Sequence, residues 1–144
     1  MSKKSLYQCN ILLAIVAPLA VSSGILLEFL HGGAFSGISF NTWVYAHVLV
    51  SLICMVVIGI HLRLHWGKLS EWNKKLHSLR CKNTKWLTVF ALLVAVSGII
   101  AALHWLSDGH SGIGGLHGKI GWICAILMMI HLFKRGKWYI RILK

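Results

Sequence analysis

Acidic side chains are almost missing from this chain, whose 144 residues hold three, Glu28, Glu71 and Asp108, against fifteen Lys and Arg. Charged residues of both signs make up 12% and hydrophobic ones 57%, with a mean hydropathy of +0.72, which excludes a disordered chain and argues against an ordinary soluble domain. Proline occurs once, at Pro18, and no segment alternates polar and apolar residues as a strand would, so helices are the economical reading. The net charge of +12 alone would suit a nucleic-acid binder. Its placement argues for a membrane surface and no nucleic acid, because the basic residues avoid four apolar stretches and crowd the segments beside them.

A helix needs roughly 20 apolar residues to cross a hydrocarbon core about 30 Å thick. Ile11 to Leu30 meets this, with Glu28 near its end, as do Trp43 to Leu62, prolonged to Leu64, and Trp86 to Leu106. Ile113 to Phe133 is weaker, since it starts Gly-rich and carries Lys119, but Ile120 to Ile130 is continuously apolar. These stretches predict an all-α, multi-pass membrane protein: one transmembrane domain over residues 1–144, built as a four-helix up-down-up-down bundle. A cleaved signal peptide would also begin with Lys3, Lys4 and an apolar run, but this run is long for such a segment and belongs to an internal repeat.

Basic residues stay on the cytoplasmic side during insertion. All but Lys119 precede the first span, lie between the second and third, or follow the fourth, so both termini are expected in the cytoplasm, with a bacterial inner membrane as the location. Within the long connection, Leu69, Trp72, Leu76 and Leu79 recur at helical spacing and Lys68, Lys75 and Arg80 flank them, which predicts an interfacial helix over 68–80 resting on lipid. The tail residues Trp138, Tyr139 and Ile140 read as interfacial too.

The internal repeat carries most of the functional information. His47, Cys54 and His61 recur 70 residues later as His117, Cys124 and His131, so the second and fourth spans both read H-x6-C-x6-H-L. Ser23-Gly24-Ile25 of the first span recurs 74 residues later as Ser97-Gly98-Ile99 in the third. The halves read as related helical hairpins.

Histidines fourteen apart on a helix share a face and stand about 21 Å apart along its axis. In an up-down-up-down arrangement His47 can face His117 on the outer side and His61 can face His131 on the cytoplasmic side. Polar groups at membrane depth are costly and usually functional. Haem accounts for four such imidazoles: two neutral rings ligate each iron, the porphyrin fills the gap with apolar surface, and six-coordinate iron shuttles electrons. Zinc or copper is the competing metal reading, although two histidines make only half of a four-coordinate site and no carboxylate lies near either pair in sequence. Cys54 and Cys124 fall midway between the histidine levels and read as small core residues. There is no C-x-x-C-H, so a c-type haem is not expected.

Gly24 and Gly98 lie close to the depth of His47 and His117, where a flat macrocycle would need no intruding side chain, and Gly121 and Gly59 are near His117 and His61. Paired histidines fourteen apart on the second and fourth helices, with glycines opposite, resemble the di-haem core of b-type cytochromes in quinol oxidoreductases and in ferric reductase and NADPH oxidase membrane domains. The segment Trp43-x3-His47-x13-His61-x3-His65-Trp66 more specifically resembles the small flavinylation-associated cytochromes of bacteria, membrane proteins found beside extracytoplasmic FMN-carrying domains. The resemblance covers nearly the whole chain.

The resemblance implies His47, His61, His117 and His131 as axial ligands of two haem b irons. His65 matches the motif but lies almost at the membrane surface, where a propionate or headgroup contact suits it better than iron. Lys119 is the expected propionate partner of the outer haem. The chain lacks a nucleotide-binding segment, so an NADPH-oxidising half is absent from it.

On the outer face Glu28, His31, His104, Asp108 and His110 gather at the helix ends as candidate quinol-site residues, with quinone as a further candidate cofactor. Burial in an apolar helix end would make Glu28 the best placed proton acceptor. Solvated helix-end residues are the plain alternative. The expected role is that of an electron-transfer subunit rather than a stand-alone enzyme, between the quinol pool or another donor and an extracytoplasmic flavin-carrying or other redox protein. Membrane lipid is the surrounding partner and a homodimer is compatible with the pattern. Two readings compete: a haem-free metal-ion transporter or sensor using the paired histidines, and a structural membrane-anchor subunit of a redox complex.

Overall fold

A computed structural model describes residues 3–30, 33–66, 74, 82–108 and 112–142 of the chain, and the architecture is all-helical. Four helices follow one another: α1 (Lys3–Leu30), α2 (Phe40–Trp66), α3 (Lys82–Asp108) and α4 (Gly112–Ile142). Each contains a segment long and apolar enough to cross a membrane, namely Ser5–Leu30, Phe40–His65, Asn83–Ser107 and Gly112–Arg135. Every helix also extends past its apolar stretch. Hydropathy marks the residues suited to hydrocarbon, whereas backbone hydrogen bonding continues into polar flanks. Thus α1 starts at Lys3 rather than Ile11, and α4 runs on to Ile142, taking Trp138, Tyr139 and Ile140 into the helix. The interfacial helix expected over 68–80 lies, except for Lys74, outside the described residues.

The chain divides into two compact units, Met1–Lys75 and Leu76–Lys144. In the first, α1 packs on α2; in the second, α3 packs on α4. Both are antiparallel hairpins. In the first, Ser23 meets His47 and Asn10 meets His61, so the two chains run in opposite senses. In the second, Ser97 meets His117 and Asn83 meets Leu127.

The connection in the first hairpin is built from local chemistry. Phe35 and Ile38 form an isolated antiparallel bridge around a tight turn, with Ser36 and Gly37 at φ of 53° and 76°. Glycine takes that left-handed backbone at no steric cost, and two consecutive positive φ values are the mark of a hairpin turn that matches strand twist. Ser39 then caps α2: its hydroxyl oxygen accepts from the Thr42 backbone N–H at 3.3 Å and lies 2.9 Å from the Thr42 hydroxyl.

Pro18 sits inside α1, where the missing N–H removes one rung of the helix. Few described side chains are buried: Cys9, Asn10, Val16, Cys54, Val57 and Thr88. Large apolar side chains instead face outward, with Val56 63%, Leu103 61% and Phe133 77% exposed. In water such a surface would be an aggregation hazard; around a membrane span it is the surface that lipid covers.

Candidate functional site

Three of the four repeat histidines are held through Nδ1 by the first helix of their own hairpin. His47 Nδ1 lies 2.9 Å from Ser23 Oγ, His117 Nδ1 lies 3.1 Å from Ser97 Oγ, and His61 Nδ1 lies 2.9 Å from Asn10 Oδ1. These partners suit one tautomer. Each serine Oγ also lies within hydrogen-bond reach of a backbone carbonyl of its own helix, Ser23 of Ala20 at 3.0 Å and Ser97 of Val94 at 3.2 Å. A serine whose proton goes to that carbonyl accepts from an imidazole Nδ1–H. Val94 also offers its backbone to His117. The amide oxygen of Asn10 can only accept, which gives His61 the same tautomer. In that tautomer the lone pair belongs to Nε2.

Gly24 and Gly98 complete the holders. A Cβ on Gly24 would stand 3.0 Å from His47 Cε1, and one on Gly98 would stand 2.9 Å from His117 Cε1. The imidazole edge is thus laid against helix backbone where any other residue would push it away. Within each hairpin the side chain that approaches these glycines is the histidine, and the adjacent serine meets its Nδ1. A Cβ on Gly59 or Gly121 would meet nothing within 4 Å.

The surroundings of His61 and His131 are built differently in the two hairpins. Asn10 is buried and holds His61, beside Cys9, whose thiol reaches toward the Val57 carbonyl at 3.8 Å. In the second hairpin the Asn83 side-chain amide donates to the Leu127 carbonyl at 3.4 Å, one turn before half-buried His131. His65 is exposed and its ring centroid lies 4.5 Å from that of His61, at an interplanar angle of 53°. Cys9, Cys54 and Cys124 are free thiols, the first two buried.

The remaining sequence candidates are spread more loosely. Glu28 is exposed at the end of α1, so the burial that favoured it as a proton acceptor is not found: its outward position turns it from the hairpin contact. His104 is exposed near the end of α3. Asp108 ends α3, and His31 and His110 lie outside the described residues. Lys119 is exposed and two residues from His117, which places it about 200° around α4, on the far side from the histidine.

One buried polar atom among the described residues has no hydrogen-bond partner: Nε1 of Trp43. Leaving such a donor unsatisfied costs about 1–3 kcal/mol. Trp43 stands one turn before His47 in α2, and its ring meets Phe35 of the tight turn with centroids 6.3 Å apart.

A neutral imidazole with Nδ1–H bonded to a protein acceptor and its lone pair on Nε2 is what an axial haem ligand requires. Among the described residues no group of three or more His, Cys, Asp or Glu comes together, as a zinc or copper centre would need. The Nδ1 contacts of these single imidazoles are of the kind an axial haem ligand makes. Sequence reasoning found the histidines and glycines but not the serine and asparagine acceptors. Their signal was present, since Ser precedes Gly in both halves and Asn10 is the polar residue at the start of an apolar run. Comparison with protein-family models, with curated proteins and with solved structures gave no match.

Proposed function

We propose that this chain is a di-haem b-type membrane cytochrome carrying electrons across the bilayer, from a quinol or other donor to an extracytoplasmic acceptor such as a flavin-carrying protein. The observation that carries this reading is that Nδ1 of His47, His61 and His117 each meets a side-chain oxygen from the first helix of its own hairpin, the contact that orients an axial imidazole. The 70-residue repeat pairs His47 with His117 at the outer level and His61 with His131 at the cytoplasmic level, and the resemblance to small flavinylation-associated cytochromes supports the same assignment. Bound haem would supply a reversible one-electron couple at each level. The two levels are about 21 Å apart along α2, so electrons would cross in steps between them.

This chain's own residues have three tasks in that reading. Ser23, Ser97 and Asn10 orient the imidazoles and raise their basicity through Nδ1, and Gly24 and Gly98 let the rings approach the helix backbone. The apolar outer surfaces of the helices keep lipid around the sites. The four-helix up-down-up-down arrangement with both termini cytoplasmic follows from the charge bias, which fits a bacterial inner membrane. Transport of metal ions as the competing function is disfavoured by the lack of a three-ligand cluster among the described residues.

The functional test uses proteoliposomes enclosing ferricyanide. Added dithionite, a charged reductant that the bilayer excludes, should reduce the enclosed acceptor only through the protein, and His61→Ala should abolish this by removing one haem level from the path. Equal rates with His61→Ala and the native protein would contradict the transmembrane path. A separate expectation concerns Asn10. Removal of an outer-shell partner typically costs about 10–100-fold in metal-site affinity or activity, so Asn10→Ala should weaken the cytoplasmic-side haem by about that factor and leave the outer one in place. Haem titration of the apoprotein, with the two sites resolved by potential, measures this.

A further inference from the structure

Trp43 is a membrane-surface tryptophan by position, and an indole of that kind ordinarily gives its N–H to headgroups or water. Its Nε1 atom is buried and has no acceptor among the described residues. The ring is braced by Phe35, and the turn carrying Phe35 is closed by reciprocal backbone hydrogen bonds between Phe35 and Ile38 of 3.1 and 3.0 Å. The N–H is therefore a fixed donor. It is four residues before His47, one turn toward the outer end of α2 and within about 40° of the same helix face.

A donor held on the face of an axial histidine, one turn toward the membrane surface, stands where the acidic edge of an outer haem would come. The propionates leave the macrocycle at one edge, and a carboxylate in a half-apolar setting takes a charge-assisted hydrogen bond readily. Lys119, the cation expected to meet them, is on the side of α4 turned from His117. We propose that Trp43 Nε1–H is the hydrogen-bond donor to a propionate of the haem ligated by His47. This assignment rests on the cytochrome reading above.

The test is Trp43→Phe in the full-length protein, which keeps an aromatic ring against Phe35 and removes only the donor. Both haems should remain bound. The outer haem's midpoint potential should fall and vary more steeply with pH, because a propionate without its donor holds its negative charge less shielded and takes up a proton more readily on reduction. Its propionate bending band in resonance Raman should shift, while the cytoplasmic-side haem keeps its potential. A second readout needs no substitution: ultraviolet resonance Raman of the native protein should show one indole N–H passing from non-bonded to bonded when haem is loaded into the apoprotein. An indole signal unchanged by haem loading overturns the assignment, and this readout decides the matter if Trp43→Phe loses the outer haem. Unchanged potential and propionate band in Trp43→Phe also overturn it. A shift that arises only when a quinone analogue is added makes a quinone carbonyl the acceptor and overturns the propionate. A native protein that takes up no haem fails the cytochrome reading itself, an outcome separate from two bound haems with an indifferent Trp43.

Discussion

On the di-haem reading proposed above, His47→Ala should remove one of two haems and leave the other with its native spectrum. Ligation is local, and the histidine levels are about 21 Å apart along α2, beyond the reach of a side-chain rearrangement. His117→Ala should lose the same haem, because the repeat sets both residues at one depth, whereas His61→Ala and His131→Ala should lose the other. The four single substitutions therefore sort into two spectral classes, which redox titration of each purified variant would separate. Loss of both haems from one substitution, or pairing of His47 with His61 in one class, would show that the two levels are not independent.

The second large effect comes from one added methyl group. In Gly98→Ala the new Cβ would lie 2.9 Å from His117 Cε1, closer than carbon atoms pack, so the imidazole must rotate away and surrender its 3.1 Å contact with Ser97. Overpacking of this kind costs about 1–3 kcal/mol, which α3 and α4 should survive as helices. The haem site should not survive it intact: binding at the outer level should weaken by at least the roughly 10–100-fold expected for loss of an outer-shell hydrogen bond. Gly24→Ala should act in the same way through His47, somewhat more mildly at 3.0 Å. Gly112→Ala, where a Cβ meets nothing within 4 Å, is the control and should bind haem normally. Circular dichroism together with haem titration distinguishes a displaced ligand from a lost fold.

The parts of this molecule that hydropathy governs were legible in the sequence. Four apolar stretches became four helices because a segment that long has no other way to satisfy its backbone in hydrocarbon. The ends were less legible, as α1 beginning at Lys3 shows, since a polar residue can continue a helix as well as leave it. The histidines stood out through their 70-residue repeat, but their holders did not. Ser23 and Ser97 are ordinary small polar residues in a membrane helix, and only the three-dimensional contact shows that each hydroxyl lies between a backbone carbonyl and an imidazole Nδ1. Gly24 is legible as a place of close approach, but glycine does not say what approaches, and in the hairpin it is His47. Glu28 stands out by its place four residues after Gly24 and Lys119 as the one basic residue expected on the outer side, and both side chains are exposed. For Lys119, two residues along a helix is near in sequence and opposite in direction.

Pyridine haemochrome analysis of the purified full-length protein, set against its amino-acid content, tests the central claim most directly. Two b-type haems per chain, with iron by elemental analysis in the same ratio, is the predicted result. A folded and functional preparation without haem, above all one holding zinc or copper in stoichiometric amount and showing no Soret band, would contradict it.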